Sequence, residues 1–282
     1  MIKVRAHAKI NLSLDIIGKR PDGYHDLCSI MQSIRLFDEV TLRPQKEISV
    51  QSDLTFLPND ERNIAWRAAR LFFDEIASAE GVFIHLKKRI PVGGGLGGGS
   101  ADAAAVLMGL NRMYGFPVPF ARLLEIGLLC GADVPFCMTG GTCLAEGLGE
   151  RLTPIAPMPH CHILLLRPRF PLSTKKIFSL VEMAKITEHP DTAGIVNALW
   201  CRDLEGVLDR MHNTLEAFVP REEIAEYKAL LLKEGADAAL MTGSGSVVYG
   251  IFRTREKAEA ALERFTALGL RPCLTTPVSS IF

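Results

Sequence analysis

The sequence of 282 residues has no excess of either charge, because 32 lysines and arginines balance 32 aspartates and glutamates. Proteins that bind nucleic acids or membrane surfaces usually carry a basic excess or patch, so we expect neither as a partner. No apolar run approaches the roughly 18 residues of a membrane-spanning helix. The N-terminal segment interleaves charged with apolar residues and therefore does not resemble a secretory signal.

Cysteine occurs seven times, an odd number, and no two cysteines have the C-x-x-C spacing. This argues against a disulfide framework and against a four-cysteine zinc site, and it favours a reducing cytoplasm. We expect the cysteines, including Cys130, Cys137 and Cys143, to be small buried apolar residues. His160 and His162 share one face of a predicted strand. Because no further ligand cluster is visible, we expect them to pack or to face solvent.

The length favours two domains at roughly 150 residues each. Three prolines between Thr153 and His162 predict a boundary, which divides the chain into residues 1–155 and 156–282. Strands and helices are mixed in both halves. Neighbouring strands that can form hairpins outnumber regular β-α-β alternation, so the fold class predicted is α+β rather than a doubly wound parallel sheet.

The periodicity of apolar residues along the chain predicts the strands and helices. Apolar residues at every even position from Ile10 to Ile16 predict a half-buried strand, whose other face carries Lys9, Asn11, Ser13 and Asp15. Further predicted strands are 30–42, 47–51, 82–86 and 162–167, a strand–glycine turn–strand unit at 239–252, and an edge strand at 272–278. Predicted helices are 59–76, 100–113, 119–130 and 255–265, with three more that begin near Lys175, Asp203 and Arg221. The segment GADVPF, residues 131–136, is predicted to break the helix before it.

The most informative segment is the glycine-rich loop PVGGGLGGGSADAAAVL, residues 91–107. It follows a predicted strand and leads into an alanine-rich helix. Backbone N–H groups of such a loop can approach an anion closely, and the helix N-terminus adds unpaired donors and the positive end of its dipole. The loop therefore predicts a phosphate site rather than a mobile surface loop.

Two common phosphate-binding loops do not fit. A Walker loop ends in Gly-Lys-Ser/Thr, and no lysine is present at Gly98-Gly99-Ser100. The dinucleotide pattern G-x-G-x-x-G does match at Gly93, Gly95 and Gly98. It requires an acidic residue about 20 positions on, but the chain has no carboxylate between Asp102 and Glu125.

The loop resembles the P-x-x-x-G-L-G-S/G-S/G signature of the GHMP kinases, the family of galactokinase, homoserine kinase and mevalonate kinase. Three further segments match in order: AKINLSL followed by GYH near the start, GADVPF after the loop, and MTGSGSVVYG near the end. The combination of AKINL with GYH resembles the branch whose acceptor is a cytidyl diphosphate sugar alcohol. The resemblance implies an N-terminal domain like ribosomal protein S5 domain 2, a C-terminal ferredoxin-like domain, and an ATP-dependent phosphorylation of that alcohol.

The resemblance also implies roles for particular residues. Asp133 is the expected general base and Lys9 its expected partner, which could steady developing negative charge. Tyr24 and His25 are expected to hold the cytosine, and Asn11 with the turn Gly243-Ser244-Gly245 to contact the acceptor or the phosphates. The expected ATP-binding residues are Asn63, Pro91, Val92, Gly93, Gly94, Gly95, Leu96, Gly97, Gly98, Gly99, Ser100 and Ala101.

The chain departs from the family pattern at two positions. Where related kinases carry a serine that ligates magnesium, a gap-free alignment places Gly99, with Ser100 one position later, so the ligands of the expected Mg²⁺ are unassigned. The chain also reads Ser100-Ala101-Asp102 where close relatives often have two serines. A kinase for homoserine, mevalonate or a sugar is the alternative enzyme, and a nucleotide-binding sensor without catalysis is the alternative from another class. The oligomeric state expected is a monomer or a homodimer.

Overall fold

The chain forms two compact units in the computed structural model, which describes residues 1–168, 170, 172–219 and 222–280. The first unit consists of Met1–Ala8, Leu36–Val92 and Gly97–Thr139, and the second of Lys9–Arg35, Gly93–Leu96 and the chain from Gly140 onward. The long strands β1 (Ile2–Lys19) and β2 (His25–Gln45) contribute residues to both. The predicted division at residue 155 follows the order of the sequence and stays a prediction.

The first unit combines the ends of these two strands with two more strands and four helices. Its further elements are β3 (Ser49–Ser52), α1 (Ile64–Glu75), β4 (Gly81–Lys87), α2 (Gly98–Met113), α3 (Phe120–Cys130) and α4 (Val134–Thr139). The end of β2 runs antiparallel to β4, with Val40 opposite Leu86, and β3 runs parallel to β4 on its other side. The alternating apolar residues of β4 are buried, as its sequence predicts.

Small residues let helix α2 lie very close to its neighbours. Its buried face carries alanines, among them Ala101 and Ala104, and α1 buries Ala65 and Ala68. A β-carbon on Gly109 would lie 2.5 Å from the side chain of Leu42, so a larger residue there would push the helix away from β2. The alanine-rich composition therefore holds the start of α2, where the glycine loop ends, close to the sheet.

The second unit contains two groups of strands. Its further elements are β5 (Thr142–Gly147), β6 (Arg151–Pro154), β7 (His162–Leu166), α5 (Thr174–Ser179), a 3₁₀ helix (Met183–Lys185), α6 (Thr192–Trp200), α7 (Leu204–Leu208), β8 (His212–Asn213), a second 3₁₀ helix (Thr214–Phe218), α8 (Glu222–Lys233), β9 (Ala238–Met241), β10 (Val248–Phe252), α9 (Arg255–Ala267) and β11 (Cys273–Thr275). One group has the order β6-β5-β2-β1-β8, and the other is a four-stranded antiparallel sheet of order β11-β7-β10-β9. Leu166, Met241, Phe252 and Phe265 belong to its apolar core.

Most strand and helix predictions are confirmed. They depend on hydrophobic periodicity and on capping residues, and both signals lie within each segment itself. The pairing is largely antiparallel, as predicted for the α+β class. Boundaries shift by a few residues: the helix predicted from residue 59 begins at Ile64, and α5 and α7 begin at Thr174 and Leu204. Helix α8 begins at Glu222, and the predicted start at Arg221 lies outside the described residues.

One prediction about the strands is wrong. Both faces of β1 are buried between Ala8 and Ile16, so the strand predicted as half-buried is an interior strand with a polar face. GADVPF ends α3 as predicted, and its last three residues begin a further helix, because the break is confined to residues 131–133 and α4 starts at Val134. Proline fits within the first turn of a helix, where its missing N–H group has no partner to lose, so Pro135 does not interrupt α4.

Candidate active site

The glycine loop alternates between two backbone conformations. The φ angles of Gly93, Gly95 and Gly97 are +71°, +78° and +71°, whereas Leu96 between them is buried and anchors the loop. Alternation of this kind turns successive N–H groups toward one side and forms a concave site for anions. Because Gly97 has no side chain to cap α2, the first N–H groups of that helix are available to a ligand.

The start of this loop packs backbone to backbone against the second glycine turn, residues 242–247. A β-carbon on Gly95 would lie 2.2 Å from the carbonyl oxygen of Thr242. The N–H of Val247 donates to the carbonyl oxygen of Gly94 at 3.2 Å, and the N–H of Lys9 donates to that of Leu96 at 3.0 Å. The start of the predicted phosphate loop, Gly93–Leu96, is therefore in direct contact with the predicted Gly243-Ser244-Gly245 turn within the second unit.

The polar face of β1 lies against the same turn. Lys9 is only 4% exposed, and its ammonium donates to Oδ1 of Asn11 at 2.8 Å. The Asn11 amide donates in turn to the hydroxyl of Ser29 at 2.8 Å. A β-carbon on Gly243 would lie 3.3 Å from the Lys9 ammonium nitrogen. The structure thus brings two predicted site residues, Asn11 and Gly243, close to a third, the buried ammonium of Lys9.

The turn itself is held by a residue that the sequence analysis did not single out. The amide of Asn213 donates to the carbonyl oxygens of Met241 and Gly243, each at 2.8 Å. The hydroxyl of Ser244 is hydrogen-bonded to that of Thr174 at 2.8 Å. Nothing in the local sequence marks Asn213, because its partners follow it by 28 and 30 residues.

Asp133 belongs to the first unit and is half-buried in the turn between α3 and α4. Its carbonyl oxygen accepts from the N–H of Cys137 at 3.0 Å, so the first turn of α4 fixes its backbone. A β-carbon on Gly131, in the same turn, would lie 4.0 Å from the hydroxyl of Ser100. This turn therefore faces the beginning of α2. The pairing of Asp133 with Lys9 stays a prediction.

Tyr24 and His25 differ sharply in exposure. Tyr24 is 63% exposed, whereas His25 is buried, and its ring centroid lies 5.8 Å from that of Phe178. Burial, and then the positive charge of Lys19, lower the pKa of His25 from its ordinary 6.5, so the imidazole is neutral at neutral pH. Among the residues that the structure describes, none is hydrogen-bonded to the buried Nε2 of His25. A buried ring nitrogen without a protein partner is suited to bind a ligand.

Asn63 is the N-cap of α1. Its side chain accepts from the N–H of Ala65 at 3.0 Å and donates to the carbonyl oxygen of Pro58 at 2.8 Å. A cavity of about 490 Å³ adjoins this cap and is lined by Thr55, Phe56, Leu57, Pro58, Asn59, Asp60 and Arg62. Its volume lies within the range of small-molecule sites. The predicted contact of Asn63 with adenine stays a prediction.

The cysteines and the paired histidines contribute no metal site. Cys130, Cys137 and Cys143 are buried and free, as predicted, whereas Cys201 is exposed, contrary to the prediction for all seven. The rings of His160 and His162 are 5.1 Å apart. Within the described ranges, no group of three or more histidine, cysteine, aspartate or glutamate side chains could hold a metal ion. Likewise, none of the described helices combines the length and hydropathy needed to cross a bilayer.

The chain is similar in sequence to a known protein family and to named relatives. Residues 63–141 match the family model of the GHMP kinases N terminal domain, and residues 198–269 match the GHMP kinases C terminal model. A 4-diphosphocytidyl-2-C-methyl-D-erythritol kinase of Lachnoclostridium phytofermentans is 42% identical over 94% of this chain and 92% of its own. One from Acetivibrio thermocellus is 43% identical over 93% of this chain and 94% of its own.

The fold of this chain is also similar to that of a solved structure. The crystal structure of a 4-(cytidine 5'-diphospho)-2C-methyl-D-erythritol kinase is similar with a TM-score of 0.83 and 32% sequence identity. The similarity covers 98% of this chain and 99% of that one.

Proposed function

Because the chain belongs to the GHMP kinase family, with the fold and the ATP dependence of that family, we propose that its glycine loop binds the phosphates of ATP while Lys9 and Asp133 act on the acceptor alcohol. The enzyme is a phosphotransferase of isoprenoid precursor biosynthesis. It transfers the γ-phosphoryl group of ATP to the 2-hydroxyl of 4-diphosphocytidyl-2-C-methyl-D-erythritol.

In the proposed reaction, the carboxylate of Asp133 accepts the proton of the acceptor hydroxyl. The oxygen then forms a bond to the γ-phosphorus as the bond from that phosphorus to the bridging oxygen of ADP breaks. The N–H groups of the loop and of the first turn of α2 bind the phosphate oxygens. The Lys9 ammonium, which Asn11 holds in place, offsets negative charge on the transferring group.

The proposed cytosine site consists of Tyr24, His25 and the neighbouring Phe178. The observation that carries this assignment is the buried Nε2 of His25, which has no hydrogen-bond partner among the described residues. A neutral imidazole donates at one nitrogen and accepts at the other, so it matches the mixed donors and acceptors of a base edge. Homoserine, mevalonate and sugars have no such edge and would leave this nitrogen unpaired.

We also propose Mg²⁺ as the cation that accompanies ATP. The ion in kinase sites is held mainly by the phosphates and by one or two protein oxygens. Ser100 fits this requirement, because its hydroxyl lies at the start of α2 and faces the turn that contains Asp133. When bound, the ion would neutralise part of the phosphate charge. Gly99 offers no side-chain oxygen, so Ser100 is the proposed ligand.

The proposed compartment is the cytoplasm, where ATP is available and where the seven free cysteines stay reduced. The oligomeric state proposed is a monomer or a homodimer.

The test is an ADP-release assay with a panel of acceptors: the cytidyl diphosphate alcohol, homoserine, mevalonate and galactose. We expect ADP release with the first acceptor alone. His25→Ala should raise the KM for that acceptor by roughly 10-fold, the effect of one or two hydrogen bonds, and leave the KM for ATP unchanged. His160→Ala, which removes an exposed histidine elsewhere, is the matched control. An unchanged acceptor KM in His25→Ala would contradict the proposed cytosine site.

A further inference from the structure

Three buried ionisable side chains lie at the base of the glycine loop. The side chain of Lys88 is 3% exposed and forms ion pairs with Asp38 and Asp102, whose side chains are 0% and 4% exposed. Lys88 directly follows β4, Asp38 belongs to β2, and Asp102 lies near the start of α2. All three residues belong to the first unit. We refer to them as the lysine clamp.

The clamp joins the two ends of the loop. Lys88 precedes residues 91–97, the non-helical part of the glycine-rich segment, and Asp102 follows them, so one ion pair closes a separation of 14 residues. Asp38 also accepts hydrogen bonds from the backbone N–H groups of Arg89 and Ile90, the latter at 2.8 Å. The segment that enters the loop is therefore attached to the Asp38 carboxylate, and the helix that follows the loop is attached through Asp102 to the Lys88 ammonium.

The clamp is also close to the first turn of α2. A β-carbon on Gly98 would lie 3.0 Å from the side chain of Ile90 and 3.7 Å from the Lys88 ammonium nitrogen. A change in the position of Lys88 would therefore displace the first residues of the helix. The N–H groups of these residues have no side-chain cap. These are the groups that a phosphate would contact.

A contribution to the free energy of unfolding would not by itself explain why this cluster is buried. Burial raises the pKa of Asp102, against the opposing effect of Lys88, and the negative charge of Asp38 raises it further. Burial lowers the pKa of Lys88, but the two carboxylates outweigh it and raise that pKa. Buried ion pairs often contribute no more stability than apolar residues of the same volume, whereas they can fix the register of the elements that they connect.

We propose that Lys88 is a positioning residue for the nucleotide: through Asp38 and Asp102 it fixes the spacing between the two ends of the glycine loop. The inference rests on the proposed function, because it takes the loop as the site of the ATP phosphates. A positioning role affects nucleotide binding specifically. A role in stability alone would lower the unfolding temperature and leave the nucleotide constants of the folded enzyme unchanged.

The test uses three variants of the full chain. Lys88→Met removes the cation and leaves two buried carboxylates. The double variant Lys88→Met/Asp102→Asn removes the cation and one carboxylate. The remaining carboxylate, that of Asp38, keeps its two backbone N–H donors. Lys88→Arg keeps the charge and changes only its geometry. Lys87→Met is the matched control, because this exposed lysine is the preceding residue. The measurements are the Kd of ADP by calorimetry, the separate KM values for ATP and acceptor, and the unfolding temperature.

We expect the Kd of ADP and the KM for ATP to rise by roughly 10- to 100-fold in both Lys88→Met variants, the effect of a small misplacement in a binding site. The acceptor KM should change less than these, and Lys88→Arg should lie between wild type and Lys88→Met. If every folded variant binds ADP as tightly as Lys87→Met does, the proposal is wrong. Should Lys88→Met fail to fold, the double variant and Lys88→Arg decide. A wild type that binds ADP but phosphorylates no cytidyl alcohol would instead contradict the proposed function.

Discussion

The carbonyl oxygen of Thr242 occupies the position that a side chain on Gly95 would need. A β-carbon there would lie 2.2 Å from this oxygen, and the φ angle of Gly95 is +78°. Two glycine segments separated by almost 150 residues therefore meet through their backbones, and the hydroxyl of Thr242 also donates to the carbonyl oxygen of Gly95 at 3.4 Å. Glycine is required at position 95 for two reasons. Without a side chain, the residue can adopt the left-handed conformation and the Thr242 carbonyl oxygen can approach closely.

Gly95→Ala and Gly93→Ala separate these two effects. Gly93 has a similar φ angle of +71°, but a β-carbon there has no neighbour within 4 Å. We expect Gly93→Ala to cost about 1 kcal/mol, the usual penalty of a left-handed residue. Gly95→Ala should cost clearly more and should raise the KM for ATP. Urea unfolding and steady-state kinetics measure both, and equal effects of the two variants would show that contact with Thr242 is unimportant.

Asp133→Asn tests the proposed base. The amide keeps the shape of the side chain but cannot accept the hydroxyl proton, so kcat should fall by roughly 10²- to 10⁴-fold. Calorimetry should show that ADP binds as in the wild type, because the loop is unchanged. Turnover close to that of the wild type would remove Asp133 from the mechanism.

The KM for the cytidyl acceptor should depend on pH through His25. Burial and then Lys19 lower the pKa of this histidine from its ordinary 6.5, so it gains its proton at a lower pH than a free imidazole does. The acceptor KM should be constant from alkaline pH to pH 6.5 and rise only at lower pH. Lys19→Gln should shift this rise to higher pH, because one of the two causes is removed. A KM that rises above pH 6.5 in the wild type would contradict the assignment.

The same histidine contributes to stability with a definite sign. Its folded pKa is lower than its unfolded pKa, so the folded protein binds the proton less tightly. The free energy of unfolding therefore contains the full contribution of neutral His25 above pH 6.5. This contribution is lost as the pH falls below 6.5, because the unfolded chain then binds the proton more readily than the folded protein.

The stability of Asp102→Asn relative to that of the wild type should increase as the pH rises. Burial raises the pKa of Asp102 from 3.8 to about 7, so the folded state holds this proton where the unfolded chain releases it. The stability of the wild type therefore falls through this group between pH 3.8 and about 7, and Asp102→Asn lacks the fall. Chemical unfolding across this window should show the difference grow by at least about 1 kcal/mol in favour of the variant. A difference independent of pH would contradict the raised pKa.

Local patterns were sufficient for the predictions that depended on neighbouring residues. The helix after the glycine loop, the strand before it and the hairpin at 239–252 were all confirmed, because period, caps and turn residues lie within each segment. The family motifs also identified Lys9, Asn11 and Gly243, which the structure brings together.

Contacts between distant segments decided the rest. The polar face of β1 was predicted to be exposed, yet the N–H of Asn11 donates to the hydroxyl of Thr242, 231 positions away. The alternation of β1 shows only that its two faces differ in polarity, and it carries no information about the segment that covers them. Lys88 is a similar case, since a lysine after a strand is usually solvated and its partner Asp38 belongs to a distant part of β2.

The sequence by itself determined that a nearly side-chain-free loop leads into a helix N-terminus, because glycine permits the backbone angles and the helix supplies the donors. Only the tertiary structure decided what holds that loop in place: the carbonyl oxygen of Thr242 on one side and the buried charges of Lys88, Asp38 and Asp102 at its ends. The physical reason is that backbone preference acts over a few residues, whereas desolvation and close packing depend on every segment that the fold brings near.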